Sequence, residues 1–146
     1  ISTNSAQADR YAAYYRPKGY DFEDVRESAR VVGRHGGYVM LNYFVFPGVT
    51  DTREELDALD EWVAEGAIQM IQLRNLNLDP EVYLETLEPF GERGEAMGIV
   101  PWLAELVRRH PHLRFGYFNP PGRLFEAAPH TLDLSCASEE YIHADL

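Results

Sequence analysis

Apolar positions along this chain switch repeatedly from the two-residue period of a β-strand to the longer period of an α-helix. The clearest case lies within 38–66, where an apolar strand over 39–46 runs into a Pro-Gly turn and then into a helical stripe of Leu56, Leu59 and Val63. Both alternating sets of side chains in the strand are largely apolar, which is typical of a parallel strand covered on both faces. The stretch therefore predicts half of a βαβ unit.

The predicted helix carries its own start and stop signals. Thr52 and Glu55 have the spacing of a capping box, in which each side chain satisfies a free N–H group of the first turn. Gly66 follows the last apolar position and can adopt the left-handed conformation that ends a helix. These signals place the helix between Thr52 and Gly66.

The same two periods recur on both sides of this unit. They predict strands at 1–6, 67–73 and 113–118, and helices at 7–15, 22–35, 80–87 and 99–107. An alternation of helix and strand is typical of an α/β fold with a parallel sheet. We therefore predict a partial (β/α) barrel over 1–121, with three to four parallel strands and covering helices. The pattern fades over 122–146, which we expect to be a weakly patterned C-terminal extension.

Charge and cysteine content exclude several classes of partner. The 146 residues carry 24 acidic and 13 basic side chains, and their net charge of −11 would repel a nucleic-acid backbone. No apolar run approaches the ~20 residues needed to span a bilayer, so we expect no membrane contact. The single cysteine, Cys136, cannot form a disulfide within the chain, which predicts a reducing, cytoplasmic compartment.

Polar side chains lie where the predicted strands end, which is where parallel sheets of this kind bind ligands. Amides and hydroxyls dominate, so the set suits hydrogen bonding to a ribose or an amino-acid group better than acid–base catalysis. The alternative is that these residues only cap strand ends and satisfy backbone groups of the loops. The predicted ligand-binding residues are Ser2, Asn4, Asn42, Phe44, Gln72, Arg74 and Asn75.

Other candidate sites have weaker signals. His110 and His112 resemble a pair of metal ligands, but the proline between them is typical of a solvated turn, and nothing nearby in sequence completes a zinc site. The acidic residues Asp57, Asp60 and Glu61 are expected to form the solvated face of a helix. We therefore predict no catalytic residue and no metal ligand in this chain.

Three stretches together carry a family resemblance. They are ISTNSAQADRYAAYYRPKGYDFEDVRES, LNYFVFPGVTDTREEL and MIQLRNLNLDP, and they resemble the C-terminal half of the barrel of a radical S-adenosylmethionine (radical SAM) protein. The second stretch is the most specific, since an apolar strand runs into a Gly-x-x-Asp turn and an acidic helix start. The resemblance implies a partial (β/α) barrel that binds S-adenosylmethionine and a [4Fe–4S] cluster, where reductive cleavage yields a 5′-deoxyadenosyl radical.

The resemblance also implies roles for the polar residues at the strand ends. Ser2 and Asn4 would face the ribose or the methionine part of the cofactor. Asn42 and the 46–49 turn would border the adenosine, and residues 72–75 would lie near the adenine edge. The substrate, a small molecule or a peptide, stays unidentified.

The chain departs from the family in its cysteines. The family holds its cluster with a CxxxCxxC loop, whereas this chain has only Cys136, so we expect it to hold no iron–sulfur cluster and to be inactive alone. Its first residue is Ile1 rather than Met, which we interpret as a fragment of a longer enzyme. An incomplete barrel would leave an open edge, through which the chain could self-associate. The alternatives are a stand-alone α/β module that binds a ligand or a protein, and part of another (β/α) barrel enzyme.

Overall fold

The computed structural model describes residues 1–90 and 94–116, and in this part the chain forms one parallel sheet and five α-helices. The strands are β1 (Ser2–Thr3), β2 (Val39–Val45), β3 (Ile68–Asn75) and β4 (Arg114–Phe115). The helices are α1 (Ala8–Tyr15), α2 (Phe22–Arg34), α3 (Arg53–Ala64), α4 (Pro80–Leu87) and α5 (Ile99–Arg109), with a 3-10 turn at Glu88–Phe90. No helix in these ranges is both long and apolar enough to cross a bilayer. The predicted extension over 122–146 lies outside the described residues.

The strands lie side by side in chain order, β1-β2-β3-β4, and each neighbouring pair is parallel. A doubly wound sheet reverses its strand order at a switch point, whereas a barrel adds each strand beside the previous one. The described strands show no such reversal. The predicted α/β class with a parallel sheet is confirmed, and the strand order is consistent with a partial (β/α) barrel.

The hydrophobic core lies between the sheet and the helices α2, α3 and α5. Leu41 and Tyr43 of β2 and Ile71 of β3 are fully buried there. They share this core with Trp62 of α3 and Trp102 of α5, which are also fully buried. The helices therefore cover one face of the sheet, as right-handed connections between parallel strands require.

Side chains on the other face of β2 are only half-buried. Met40, Asn42 and Phe44 alternate with the core residues and point away from the helices. The prediction that both faces of this strand are covered is therefore confirmed only for the helix-facing side. In a barrel, the opposite face would be the inner one.

Capping side chains and a glycine mark the ends of α2 and α3. Asp21 and Asp24 form a reciprocal capping box at the start of α2, and Gly66 after α3 has a φ of +78°. Thr52 caps α3 by accepting a hydrogen bond from the Glu55 N–H group at 3.4 Å. The predicted reciprocal bond from the Glu55 side chain is wrong, because that carboxylate points into the protein and binds residues near the N-terminus.

Two helices, α1 and α4, lie at the carboxyl ends of the strands and contact each other. Aromatic and aliphatic side chains of both helices and of the 46–49 turn form a second apolar cluster there. We call α1 and α4 together the roof. The members of its cluster are Val49, Tyr83 and Leu87, with Ala13, Tyr14, Phe46, Leu76 and Leu84 packed against them.

Candidate functional site

A row of polar side chains crosses three neighbouring strands on the face opposite the helices. Ser2 of β1 pairs in register with Asn42 of β2, and Asn42 pairs with Gln72 of β3. The Asn42 Nδ2 group donates a hydrogen bond to Ser2 Oγ at 3.4 Å. We call Ser2, Asn42 and Gln72 the polar row. Three of the seven predicted ligand-binding residues are therefore brought side by side.

Three other predicted residues, Phe44, Arg74 and Asn75, lie two or three positions beyond the polar row, closer to the carboxyl edge of the sheet. Phe44 pairs in register with Arg74, and Val45 pairs with Asn75. Arg74 and Asn75 are exposed. The sequence placed them in the loop after β3, whereas the structure shows that they are the last two residues of this strand. Phe44 is half-buried and its ring centroid lies 6.2 Å from that of Tyr14, so it belongs to the roof contacts rather than to the polar row.

Asn4 lies beneath the roof. Its side chain is 1% exposed, and its Nδ2 group donates to the carbonyl oxygen of Arg10 and to the hydroxyl of Tyr83, each at 3.2 Å. The Asn4 Oδ1 atom is buried and has no hydrogen-bond partner among the described residues. Asn4 lies in a bend directly after β1, so it is not part of the strand that carries Ser2. The structure therefore places Asn4 in the roof contacts rather than in the polar row.

A buried carboxylate that the sequence analysis missed organises this region. Glu55 is fully buried in the first turn of α3. Its oxygens accept hydrogen bonds from three groups of the connection between β1 and α1, and from a tyrosine of β2. The donors are Ser5 Oγ at 2.6 Å, Ala6 N at 2.6 Å, Gln7 Nε2 at 2.8 Å, and the hydroxyl of Tyr43, and Arg10 Nη1 lies 3.8 Å away.

The position of Glu55 in α3 carries a signal that could have revealed its burial. Glu55, Leu59 and Trp62 follow one another at spacings of four and three residues, which places them on one helical face. Leu59 and Trp62 are core residues, so the carboxylate lies on the buried stripe. A carboxylate in that place needs several donors, because a buried charge without partners is costly.

Burial and this charge together keep the neighbouring tyrosines neutral. Removal from water raises the pKa of Tyr43 well above its usual value, and the negative charge of Glu55 raises it further. Burial also raises the pKa of Tyr83, although the hydrogen bond donated by Asn4 acts in the opposite direction. Both hydroxyls therefore remain proton donors at neutral pH. The protonated hydroxyl of Tyr43 donates to Glu55, and that of Tyr83 accepts from Asn4.

Aromatic rings fill the roof. The Tyr14 centroid lies 4.9 Å from that of Tyr15 and 5.8 Å from that of Tyr83, both in edge-on contacts, while Phe46 and Tyr83 are 5.1 Å apart. Tyr11 stacks on Tyr15 with 4.6 Å between centroids. Such offset and edge-on pairs are the favoured geometries of aromatic side chains. Aromatic rings therefore border Phe44 and Phe46 at the carboxyl end of β2.

Of the two histidines at the end of α5, His112 lies with Pro111 in an exposed turn, as predicted, whereas His110 is buried. His110 is 7% exposed and its Nε2 atom lies 2.6 Å from Asp60 Oδ1, while Arg109 binds Asp57 at 2.9 Å and Asp60 at 3.0 Å. Asp57 and Glu61 are exposed, as predicted, whereas Asp60 is half-buried. Asp57 and Asp60 also bind Arg109, because α5 packs against α3. Within 1–90 and 94–116, no group of three or more His, Cys, Asp or Glu side chains is arranged to hold a metal ion. Arg109 and His110 therefore join the end of α5 to Asp57 and Asp60 of α3.

Comparisons with protein-family models, with curated proteins and with solved structures each find no match to this chain. Any assignment of function therefore depends on the geometry of the sheet face and its polar row. The resemblance of the sequence stretches to radical SAM proteins stays a prediction. What the geometry offers for ligand binding is a hydroxyl and amides on three adjacent strands.

Proposed function

We propose that this chain forms one sector of a radical SAM barrel, in which the polar row contributes to the wall of the S-adenosylmethionine site. The observation that supports this most is the position of Ser2, Asn42 and Gln72 on three consecutive parallel strands, on the face opposite the helices. In a closed barrel that face is the inner one. Barrel enzymes bind their ligands at the carboxyl end of this inner space.

The chemistry of the row suits the polar parts of the proposed cofactor. The Oδ1 atom of Asn42 is buried and lacks a hydrogen-bond partner among the described residues. We propose that this half-buried side chain turns towards the ligand, so that Oδ1 accepts from a ribose hydroxyl or an ammonium group. Ser2 Oγ and the Asn42 amide offer further donors and acceptors next to it. S-Adenosylmethionine carries a positive sulfonium group, and the net charge of −11 on the protein favours its approach.

The residues present do not fit the iron–sulfur cluster. A [4Fe–4S] cluster is ligated by several cysteine thiolates, and this chain has one cysteine. The thiolates would have to come from polypeptide outside this sequence. We therefore assign no catalytic step to this chain alone and propose that its role is to bind and orient the cofactor.

Titration with S-adenosylmethionine tests the cofactor site directly. We expect weak binding, with a dissociation constant of about 1 mM, or about −4 kcal/mol, because only one wall of the site is present. Amide resonances of Ser2, Asn42 and Gln72 should shift in two-dimensional NMR spectra. Asn42→Ala should weaken binding about fivefold, since one hydrogen bond contributes about 1 kcal/mol.

The matched control is Asn77→Ala, which removes an exposed amide beyond the end of β3. This variant should bind like the unmodified chain. If S-adenosylmethionine causes no shifts in the polar row, or if Asn77→Ala weakens binding as much as Asn42→Ala does, the assignment of the site is wrong.

Reconstitution with ferrous iron and sulfide under anaerobic conditions tests the cluster separately. We expect the protein, after removal of unbound iron, to lack the visible absorbance of a [4Fe–4S] cluster, because one cysteine cannot supply the required thiolates. Iron and sulfide content measured on the same sample gives the stoichiometry. One cluster per chain would contradict the proposal that the cluster ligands lie elsewhere.

A further inference from the structure

We infer that Glu55 is a positioning residue of the proposed cofactor site: its buried carboxylate fastens the end of β1 to β2 and so keeps Ser2 beside Asn42. This inference rests on the proposed function, because the polar row matters only if it binds the ligand. Glu55 belongs to neither strand and does not belong to the polar row. It acts through the register of the two strands.

Among the described residues, β1 makes few backbone hydrogen bonds of its own. It consists of two residues, paired with Asn42 and Tyr43 of β2. The carbonyl oxygen of Ile1 accepts from the Asn42 N–H group at 2.7 Å, and the amino group of Ile1 donates to the Met40 carbonyl oxygen at 2.9 Å. Contacts outside these two residue pairs therefore also bear on the register of β1 against β2.

Glu55 supplies those contacts from the opposite face of the sheet. It accepts from Ser5 Oγ and from the Ala6 N–H group, directly after β1, and from the hydroxyl of Tyr43, which lies next to Asn42 in β2. One carboxylate therefore bridges the two strands whose side chains form the row. Arg10 adds its charge to the same group at 3.8 Å.

Replacing Glu55 with glutamine separates the charge of this side chain from its shape. Glu55→Gln keeps the shape of the side chain, and its amide can still accept from Ala6 and donate towards a hydroxyl. It removes the charge opposite Arg10, which is 7% exposed and would be left as a buried cation without its partner. The connection from β1 to α1 should therefore loosen, while the sheet core between β2 and β3 remains intact.

The experiment combines hydrogen exchange with ligand titration on five variants of the full chain. In Glu55→Gln, the Asn42 amide that bonds to Ile1 should exchange about tenfold faster, while amides of β3 should keep their protection. The affinity for S-adenosylmethionine should be about fivefold lower in Glu55→Gln than in the unmodified chain. The double variant Glu55→Gln/Ser2→Ala should bind no more weakly than Ser2→Ala alone. Tyr43→Phe, which removes one donor to Glu55 and keeps the ring, should show the same pattern with a smaller effect.

The matched control is Glu54→Gln, which changes the exposed neighbour of Glu55 in the same helical turn and should behave like the unmodified chain. Equal acceleration of all amides in both Glu55→Gln and Tyr43→Phe would overturn the inference, since it would show a general loss of stability. Unchanged exchange at Asn42, or additive losses of affinity with Ser2→Ala, would also overturn it. If the unmodified chain does not bind S-adenosylmethionine, the proposed function fails, and the exchange at Asn42 still decides whether Glu55 positions β1.

Discussion

Trp62→Ala should lower the free energy of unfolding by about 3–5 kcal/mol, because it deletes a large side chain from a packed core. Trp62 is fully buried in α3, and its ring makes an edge-on contact with Phe22 of α2, with 5.2 Å between centroids. The indole also shares the core cluster with side chains of the sheet. A domain of this size has only about 5–15 kcal/mol of stability in total, so this loss would leave the fold marginal.

Urea unfolding followed by far-ultraviolet circular dichroism measures this loss. Trp62→Phe is the informative comparison, since the Trp62 Nε1 group is buried and lacks a hydrogen-bond partner among the described residues. Phenylalanine removes that unsatisfied donor and keeps an aromatic ring, so we expect a cost of no more than about 1.5 kcal/mol. Val82→Ala, at a position that is 48% exposed, should change stability little. A Trp62→Ala variant within about 1 kcal/mol of the unmodified protein would contradict the assigned core.

Alkaline pH should strongly lower the free energy of unfolding, because several buried tyrosines keep their protons in the folded state. Burial raises the pKa of Tyr11 to about 12, with a further contribution from Tyr20, and burial also raises the pKa of Tyr15, Tyr43 and Tyr83. In the unfolded chain these side chains ionise near pH ~10. Above that pH the folded state binds more protons than the unfolded state, so stability falls as the pH rises. Below about pH 10 their contribution to stability is fully present.

The slope of this loss can be measured from urea midpoints between about pH 9 and about pH 12, and each group that retains its proton contributes up to about 1.4 kcal/mol per pH unit. Tyr43→Phe provides the control. It should be less stable than the unmodified protein at pH ~9, because the hydrogen bond to Glu55 is lost, but its stability should fall less steeply above pH ~10. Equal slopes for the two proteins, or a flat profile through this range, would contradict the assignment of Tyr43 as a buried neutral donor.

The local pattern of the sequence was sufficient to predict most of the elements. Val39, Leu41 and Tyr43 alternate with a second set of residues, and this period predicts β2 whatever the strand packs against. Asp21 and Gly66 mark helix boundaries through bonds and backbone angles within a few residues of themselves. These signals predict the structure well because the hydrogen bonds and backbone angles on which they depend involve only residues close in sequence.

The contacts that organise the candidate site could not be predicted in this way. Glu55 satisfies the spacing of a local capping box, but its carboxylate binds Ser5, 50 positions away in sequence. His110 and Asp60 are likewise 50 positions apart. The Glu55 carboxylate could bind the N–H group at the start of its own helix or the residues after β1. The packing of α3 against the sheet selects the residues after β1, so tertiary contacts override the local capping pattern. For the same reason β3 extends two residues beyond its predicted end at residue 73, because Asn75 pairs with Val45 of β2.

The strand order has a consequence for how this architecture can be enlarged. Because neighbours in the sheet are also consecutive in sequence, β1 and β4 are the two outer strands of the described sheet. A further parallel strand beside either of them could be joined by another right-handed helical crossover, without any segment passing through the existing connections. Its helix would fall on the side already occupied by α2, α3 and α5, and its inward side chains would continue the rows that cross the opposite face. Growth of this kind is modular, since each added unit needs to match only the edge that it joins.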